Sequence, residues 1–304
     1  MPLRTAAIPT TGNLMSNAML NDVPAGVQFM PFVPALERPA AEDIVSRAER
    51  KLAEIEALWD LMELDEQPAA PFQLPASLRV SVVIPVYNEK RSIFDVIARV
   101  KALPFETEII VVDDCSTDGT RGWLETVRGA PGLKLILKDQ NEGKGAALRT
   151  GFAVATGHVV VVQDADLEYD PRDIETVIRP IVAGEADVSY GSRYFYRRSG
   201  DLSFFHRLVN RVLTTASNLF TGLRLTDMET CHKAFRTDVI RNLPLKQDRF
   251  GFEPEVTAKL ARRKYRITET PSSYKPRGYA EGKKIGIRDA FNAFYCIARY
   301  GFAD

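Results

Sequence analysis

The spacing of apolar positions changes twice along this chain. Through residue 40, Pro, Ala, Asn and Gly are scattered without period, as in "MPLRTAAIPTTGNLMSNAMLND", a composition that cannot bury enough surface to order itself. Residues 1–40 are expected to form a flexible arm. From Ala41, "AEDIVSRAERKLAEIEALWDLMELDE" sets Ile44, Leu52, Ile55, Leu58, Trp59 and Met62 mostly on one stripe among charges, which predicts an amphipathic helix over 41–67. Such a helix would dock on the main domain or on its copy in a dimer. "QPAAPFQLPASL", with three prolines, predicts a linker over 68–78. After Arg79, short runs of β-branched residues alternate with helical segments. "RVSVVIPVYN", "EIIVVDD", "LKLILKD" and "HVVVVQDAD" read as strands buried on both faces, and "EKRSIFDVIARVKAL", "DGTRGWLETVRG" and "GKGAALRTGFAVATG" as helices between them. Strand and helix in alternation predict an α/β fold over 79–304: a doubly wound, mostly parallel sheet flanked by helices, with an N-terminal helical extension.

Composition narrows the function classes. Of 304 residues 45% are hydrophobic and 26% charged, which is ordinary for a globular chain. Lys plus Arg equals Asp plus Glu at 40 each, so no overall field recruits nucleic acid, and no basic patch interleaved with aromatics is found. Cys115, Cys231 and Cys296 lie far apart without metal-ligand spacing, which fits a reducing, cytoplasmic compartment. The N-terminal stretch lacks the apolar core of a secretory signal, and no apolar run reaches the roughly eighteen residues of a spanning helix. The expected location is cytoplasmic, with at most peripheral contact at the inner membrane face.

In doubly wound sheets ligands sit at the carboxyl ends of the strands, beside a switch point in strand order. Three strand ends carry polar groups: "PVYNE", "DDCSTDGT" and "DADLE". An extended chain would turn Asp164, Asp166 and Glu168 toward one side. Carboxylates so close raise one another's pKa unless a cation neutralises them, and clustered hard oxygens suit Mg2+ or Mn2+ completed by water and substrate phosphate. The competing reading is a solvated strand end, with Asp170 before Pro171 capping the next helix.

"VSVVIPVYNE", "EIIVVDDCSTDGT", "NEGKGAALRTGF", "VVVQDADLEYDP", "YGSRY", "TDMETCHKAFR" and "GFEPEVTAKL" follow the order of blocks in family 2 glycosyltransferases of the GT-A fold. Residues 79–300 resemble most the dolichyl-phosphate mannose synthase branch, whose members move sugar from a nucleotide sugar to a polyprenyl phosphate. The resemblance implies an inverting, metal-dependent transferase with a UDP- or GDP-linked sugar as donor and a polyprenyl phosphate as acceptor; a soluble hydroxyl acceptor is the main rival. It places Pro85, Tyr87, Asn88 and Glu89 in the nucleotide pocket, Asp113 and Asp114 on base and ribose, and Asp164 and Ala165 against the donor. It gives the metal to Asp166 and Glu168. Glu168 stands where relatives often carry Gln, and Cys115 where they usually carry Gly, so either the turn does not need glycine or the pocket is shaped differently.

"NEGKGAAL" fails as a Walker A loop, having Lys138 and Gly145 where Gly and Ser or Thr are needed, and fails as a dinucleotide fingerprint at Leu148. What remains is a glycine-loosened helix start from which Lys144 can approach nucleotide or phosphate, or a surface lysine beside a capping glycine. The resemblance gives Arg193 an acceptor or donor phosphate, with a structural salt bridge as its competitor. Arg207 and Arg211, one turn apart on a predicted helix, share a face; the resemblance implies that this region gathers the acceptor phosphate, with arginines snorkelling over the core as the competitor. A hydroxyl acceptor would need a base among Asp227, Glu253 and Glu255. A phosphate acceptor needs none, and Asp227 then orients sugar or acceptor. His232 is expected to pack or hydrogen-bond rather than catalyse. The C-terminal "SYKPRGYAEGKKIGIRDAFNAFYCIARYGF" predicts a basic loop, which could cover the nucleotide, and an amphipathic helix that closes the core or, through Lys283, Lys284 and Arg288, rests on an anionic membrane. A processive synthase is disfavoured by the missing QxxRW block. A decayed binding module is disfavoured because Asp164, Asp166 and Glu168 are all present.

Overall fold

The computed structural model describes residues 74–195, 204–277 and 287–302. The arm over 1–40, the helix over 41–67 and the first part of the expected linker lie outside them. Seven strands form one sheet: β1 (Arg79–Val86), β2 (Glu106–Asp113), β3 (Leu133–Leu137), β4 (Val159–Val162), β5 (Val188–Ser192), β6 (Lys233–Arg236) and β7 (Ile267–Pro271), in the order β3-β2-β1-β4-β6-β5-β7. β1 pairs in parallel with β2 on one side and β4 on the other, and β2 with β3. β6 runs antiparallel to β4 and β5, and β5 is parallel to β7.

The valine runs form strands because both sheet faces are covered. Val82 and Ile84 of β1 face α1 (Ile93–Lys101) and α4 (Ile174–Val182), through Ile93, Val96, Ile174 and Ile178. Val83, one residue out of phase, faces α3 (Lys144–Val154), α5 (Phe204–Thr221) and α7 (Phe252–Arg262), through Leu148, Phe152, Leu213 and Phe252. Each such side chain, fully buried, contributes about 1.5–3 kcal/mol. Two shorter helices, α2 (Thr120–Thr126) and α6 (Thr237–Arg241), fill connections, and α8 (Ile287–Phe302) buries Ala293, Cys296, Ile297 and Tyr300. The C-terminal helix thus closes the core. The side chains of Lys283, Lys284 and Arg288 lie outside the described residues.

Because β1 sends its chain to β2 on one side and pairs with β4 on the other, the loops after β1, β2 and β4 diverge around one crevice, the switch point of the sheet. A second constraint shapes its wall. Gly143, which precedes α3, adopts φ +101°, and a Cβ there would lie 2.5 Å from the Asp248 carbonyl oxygen. The 247–248 backbone is fixed in turn by Glu255, fully buried on α7, which accepts from the amides of Lys246 and Gln247 and pairs with buried Lys259 at 2.6 Å. Glu255 is therefore a scaffold residue. Gly143→Ala meets both backbone strain and overlap and should lower stability by about 1–3 kcal/mol in urea unfolding.

Candidate active site

After β1 the chain turns at Asn88, whose φ of +56° puts its Oδ1 in reach of the Thr117 amide at 2.7 Å, while its own amide donates to Ser116 Oγ at 2.9 Å. Asparagine tolerates this left-handed geometry because its amide side chain can satisfy the turn locally. Pro85 and Tyr87 flank the same rim, both partly exposed. After β2, Asp113 accepts from Arg121 Nε at 2.9 Å and from the Ser116 amide, and is fully buried. Asp114 takes the amides of Glu142 and Gly143 at 3.0 and 2.7 Å and pairs with Lys138. Both carboxylates thus fasten loops to the rim. Cys115 between them has φ +64°, so the turn does require the left-handed conformation that glycine would adopt freely. The chain accepts that strain with a cysteine.

The acids after β4 are not presented by an extended chain. The strand ends at Val162, and residues 165–168 turn, with Leu167 at φ +63°. This is a correction to the alternating-strand picture: a turn, not pleating, sets the directions of the three carboxylates, and each meets a different partner. Asp164 pairs with Lys144 Nζ at 2.8 Å. Burial opposes its ionisation, but the Lys144 charge holds it below the usual carboxylate range. Asp166 accepts from the Glu168 amide at 3.1 Å and from Arg277 at 3.0 Å. Glu168 accepts from Tyr274 Oη at 2.7 Å and from the Arg277 amide at 2.8 Å. Arg277 also grips Glu89 through two bonds of 3.0 Å. The buried Ala165 lies between the first two acids.

One guanidinium and one ammonium do not neutralise this rim. Burial, then the charges of Asp164 and Glu168, push Asp166 up to about 7 despite Arg277. A carboxyl with a folded-state pKa above its unfolded value contributes stability that is present below the unfolded value, near 4, and is lost as pH rises through about 7. In metal-free buffer Asp166→Asn should therefore gain thermal stability over wild type by a margin that grows across that window and levels off above it. A margin independent of pH would contradict the assignment.

On the far side of the crevice Arg193 follows β5 directly. It grips Asp227 through Nε and a terminal nitrogen, both at 2.7 Å, and Asn210 adds a bond of 3.1 Å to the same carboxylate. Asp227 is fully buried, and although burial opposes its charge, Arg193 keeps it below the usual range. The structural salt bridge weighed for Arg193 is present. Its guanidinium also lies 5.2 Å from the Tyr274 ring centre, so the pair adjoins the acid rim. Arg207 and Arg211 are exposed on α5, and the Arg207 charge reaches the Tyr194 hydroxyl, which accepts from Asn210. His232 bonds Ser272 at 2.9 Å, packs on Tyr169 and is held near 4 by burial, a packing residue as expected.

The donor set fits a small divalent cation. Among the described residues no three acidic, histidine or cysteine side chains converge on one point, so the protein offers no complete cage. Asp166 and Glu168 offer two hard carboxylates on an under-neutralised rim, which suits an ion that takes one or two carboxylates and leaves its remaining positions to water and phosphate.

The family described as Glycosyl transferase family 2 matches residues 81–243. The chain belongs to this family. It is 30% identical to the undecaprenyl-phosphate mannosyltransferase of Micrococcus luteus, over 69% of this chain and 88% of that protein. It is also 30% identical to the undecaprenyl-phosphate 4-deoxy-4-formamido-L-arabinose transferase of Aeromonas hydrophila, over 71% of this chain and 65% of that protein. The chain thus spans about two thirds of the length of the Aeromonas relative. In fold it resembles the glucosyl-3-phosphoglycerate synthase of Mycobacterium tuberculosis, solved with Mn2+, UDP-glucose and phosphoglyceric acid, with a TM-score of 0.57, 21% identity and coverage of 75% of this chain and 81% of that one. The sheet is that of the GT-A glycosyltransferases.

Within this family 2 member the structure brings together Asn88, Glu89, Asp113, Asp114, Lys144, Asp164, Asp166 and Glu168 around one crevice, with Arg193 and Asp227 beyond it. Two site residues went unread in the sequence, Arg277 and Tyr274. Only the basic character of their loop signalled them; their partner Glu168 is more than a hundred positions away.

Proposed function

We propose that the protein is an inverting glycosyltransferase that moves a sugar from a nucleoside diphosphate sugar to a polyprenyl phosphate, with Mg2+ or Mn2+ held by Asp166 and Glu168. The observation that carries this reading is the under-neutralised acid rim at the switch point, set opposite a carboxylate that is already spent. Asp227 gives both its oxygens to Arg193 and is held ionised, so it is engaged rather than poised to take a proton. An acceptor phosphate brings its own negative oxygen and needs no base.

The residues divide the work accordingly. The loop of Asn88 and Glu89, with Asp113 and Asp114 behind it, shapes the nucleotide end of the crevice. Asp164, positioned by Lys144, faces the ribose or sugar. A bound divalent ion would offset the charge that develops on the departing diphosphate. Arg277, the cation already at the rim, adds to that field from the loop after β7. Arg193, held in place by Asp227, orients the acceptor phosphate, and the exposed Arg207 and Arg211 draw it in from α5. Attack from the face opposite the diphosphate inverts the anomeric carbon.

An amphiphilic acceptor also suits the surface of α5 and α8, where Leu219 is 81% and Phe302 77% exposed. Such side chains can rest on a lipid surface. Among the described residues no helix is long and apolar enough to cross a membrane. The test is incubation of the full chain with radiolabelled nucleotide sugars, with and without Mn2+ and undecaprenyl phosphate. Label entering the organic phase only when donor, metal and lipid are all present is expected. A water-soluble product formed without lipid would overturn the acceptor.

A further inference from the structure

Arg277 stands on the oxygens assigned above to a divalent ion. Asp166 accepts from the Glu168 amide on one oxygen and from the Arg277 guanidinium on the other, and Glu168 accepts from Tyr274 on one oxygen and from the Arg277 amide on the other. Each oxygen of the pair thus already has a donor, and Arg277 supplies two of them. A fork anchors the guanidinium there. Glu89, only 9% exposed, accepts from its two terminal nitrogens, both at 3.0 Å, and one of those nitrogens is the one that also reaches Asp166. Paired bonds of this kind fix orientation as well as charge.

The backbone that carries Arg277 is tied to the same turn. Lys275 donates its amide to the Glu168 carbonyl at 2.8 Å, and Tyr274 pairs with Tyr169 in an antiparallel bridge. An exchange of partners therefore asks for movement of one side chain, not of the loop. The guanidinium also gains from an exchange. Its Nε is buried without a hydrogen-bond partner, and a buried donor left unmade is a standing cost. A diphosphate, with several anionic oxygens, can satisfy that donor; a bare cation cannot.

We infer that Arg277 is a competing cation that makes the acid rim selective for a divalent ion arriving with a nucleoside diphosphate over the same ion alone. A free ion must share Asp166 with a fixed positive charge, which repels it. A diphosphate brings negative oxygens to which the guanidinium can turn, so ion and diphosphate each tighten the binding of the other. This rests on the proposed reading of Asp166 and Glu168 as metal ligands, and goes beyond it by naming the form of the metal the site admits and the residue that decides it.

Calorimetric titration of the full chain with Mn2+ at pH 8, alone and with saturating UDP or GDP, tests it on wild type, R277Q and R277K. R277Q removes the competing charge and should bind Mn2+ alone about tenfold tighter than wild type, while R277K, which keeps the charge, should stay within about threefold of wild type. The nucleotide should tighten Mn2+ binding to wild type, and R277Q should cut that gain by about fivefold or more. A purely structural Arg277 predicts the opposite sign, because loosened carboxylates hold Mn2+ less well. Urea unfolding certifies each variant; if R277Q does not fold, R277M takes its place. Mn2+ affinity that is unchanged or weaker in the uncharged variant, a matching rise in R277K, or a nucleotide gain that the uncharged variant leaves intact would overturn the inference alone. Failure of wild type to bind Mn2+ both alone and with either nucleotide would overturn the proposed function together with it.

Discussion

Asp166→Ala should lower transfer by about a thousandfold while leaving the protein at least as stable as wild type at pH 8, because removing an electrostatic anchor at a leaving group typically costs about 3–4 kcal/mol of transition-state stabilisation. The two halves of this outcome come from one cause. Asp166 sits on a rim where burial and the charges of Asp164 and Glu168 all resist its ionisation, so the apo protein gains when that carboxylate is deleted. On the proposed function the same crowding would receive a divalent ion, which would be lost with its ligand. Steady-state kinetics with Mn2+ titration, beside thermal unfolding of the metal-free protein, separates a functional loss from a folding one. Glu168→Ala should behave differently. Its carboxylate also supports Tyr274 and the Arg277 amide, so activity and stability should fall together. Full activity of Asp166→Ala would remove the metal assignment.

Which parts of this site could be read from the sequence follows from how far apart the interacting residues lie. β1, β2 and β4 were legible because a parallel strand covered on both faces must be apolar at nearly every position, and runs such as Val159–Val162 have few other uses. β6 and β7 carry no such mark. Lys233–Arg236 is four residues with a charge at each end, and Ile267–Pro271 has a single aliphatic residue before three polar ones and a proline. β6 is a strand because it is paired on both sides, by β4 and β5, and β7 because it adds to β5, a tertiary cause that no local window contains. The acids at Asp164, Asp166 and Glu168 are visible in the sequence as a group. Their directions were not visible, since those depend on a turn at Leu167. The cations that meet them were invisible for the same reason as β6: Arg277 reaches Glu89 across 188 positions and Asp166 across 111. At Cys115 the backbone keeps the glycine-like turn without the glycine, an outcome that neither sequence alternative contained.

Arg193→Ala should cost about 3–5 kcal/mol of stability, because it leaves the fully buried Asp227 carboxylate without its cation, and an ion pair broken on one side is far worse than one never made. The magnitude is large enough that lost transfer in this variant says little about the acceptor. A cycle resolves the two roles. Asp227→Asn keeps hydrogen bonds to Arg193 and frees part of the guanidinium, whereas a paired replacement, Arg193→Met with Asp227→Leu, removes both charges together and should recover most of the stability. If Arg193 orients an acceptor phosphate, the stable paired variant should still bind the nucleoside diphosphate sugar with near-wild-type affinity while transfer to undecaprenyl phosphate stays depressed by about a hundredfold or more. If the pair only braces β5 against the segment before β6, stability and transfer should return together. Urea unfolding, donor titration and lipid-dependent transfer on the four proteins distinguish these outcomes. The geometry favours the first, since Arg193 lies against Tyr274, and Tyr274 in turn holds Glu168. Through that contact the guanidinium is linked to the acid rim by a single side chain.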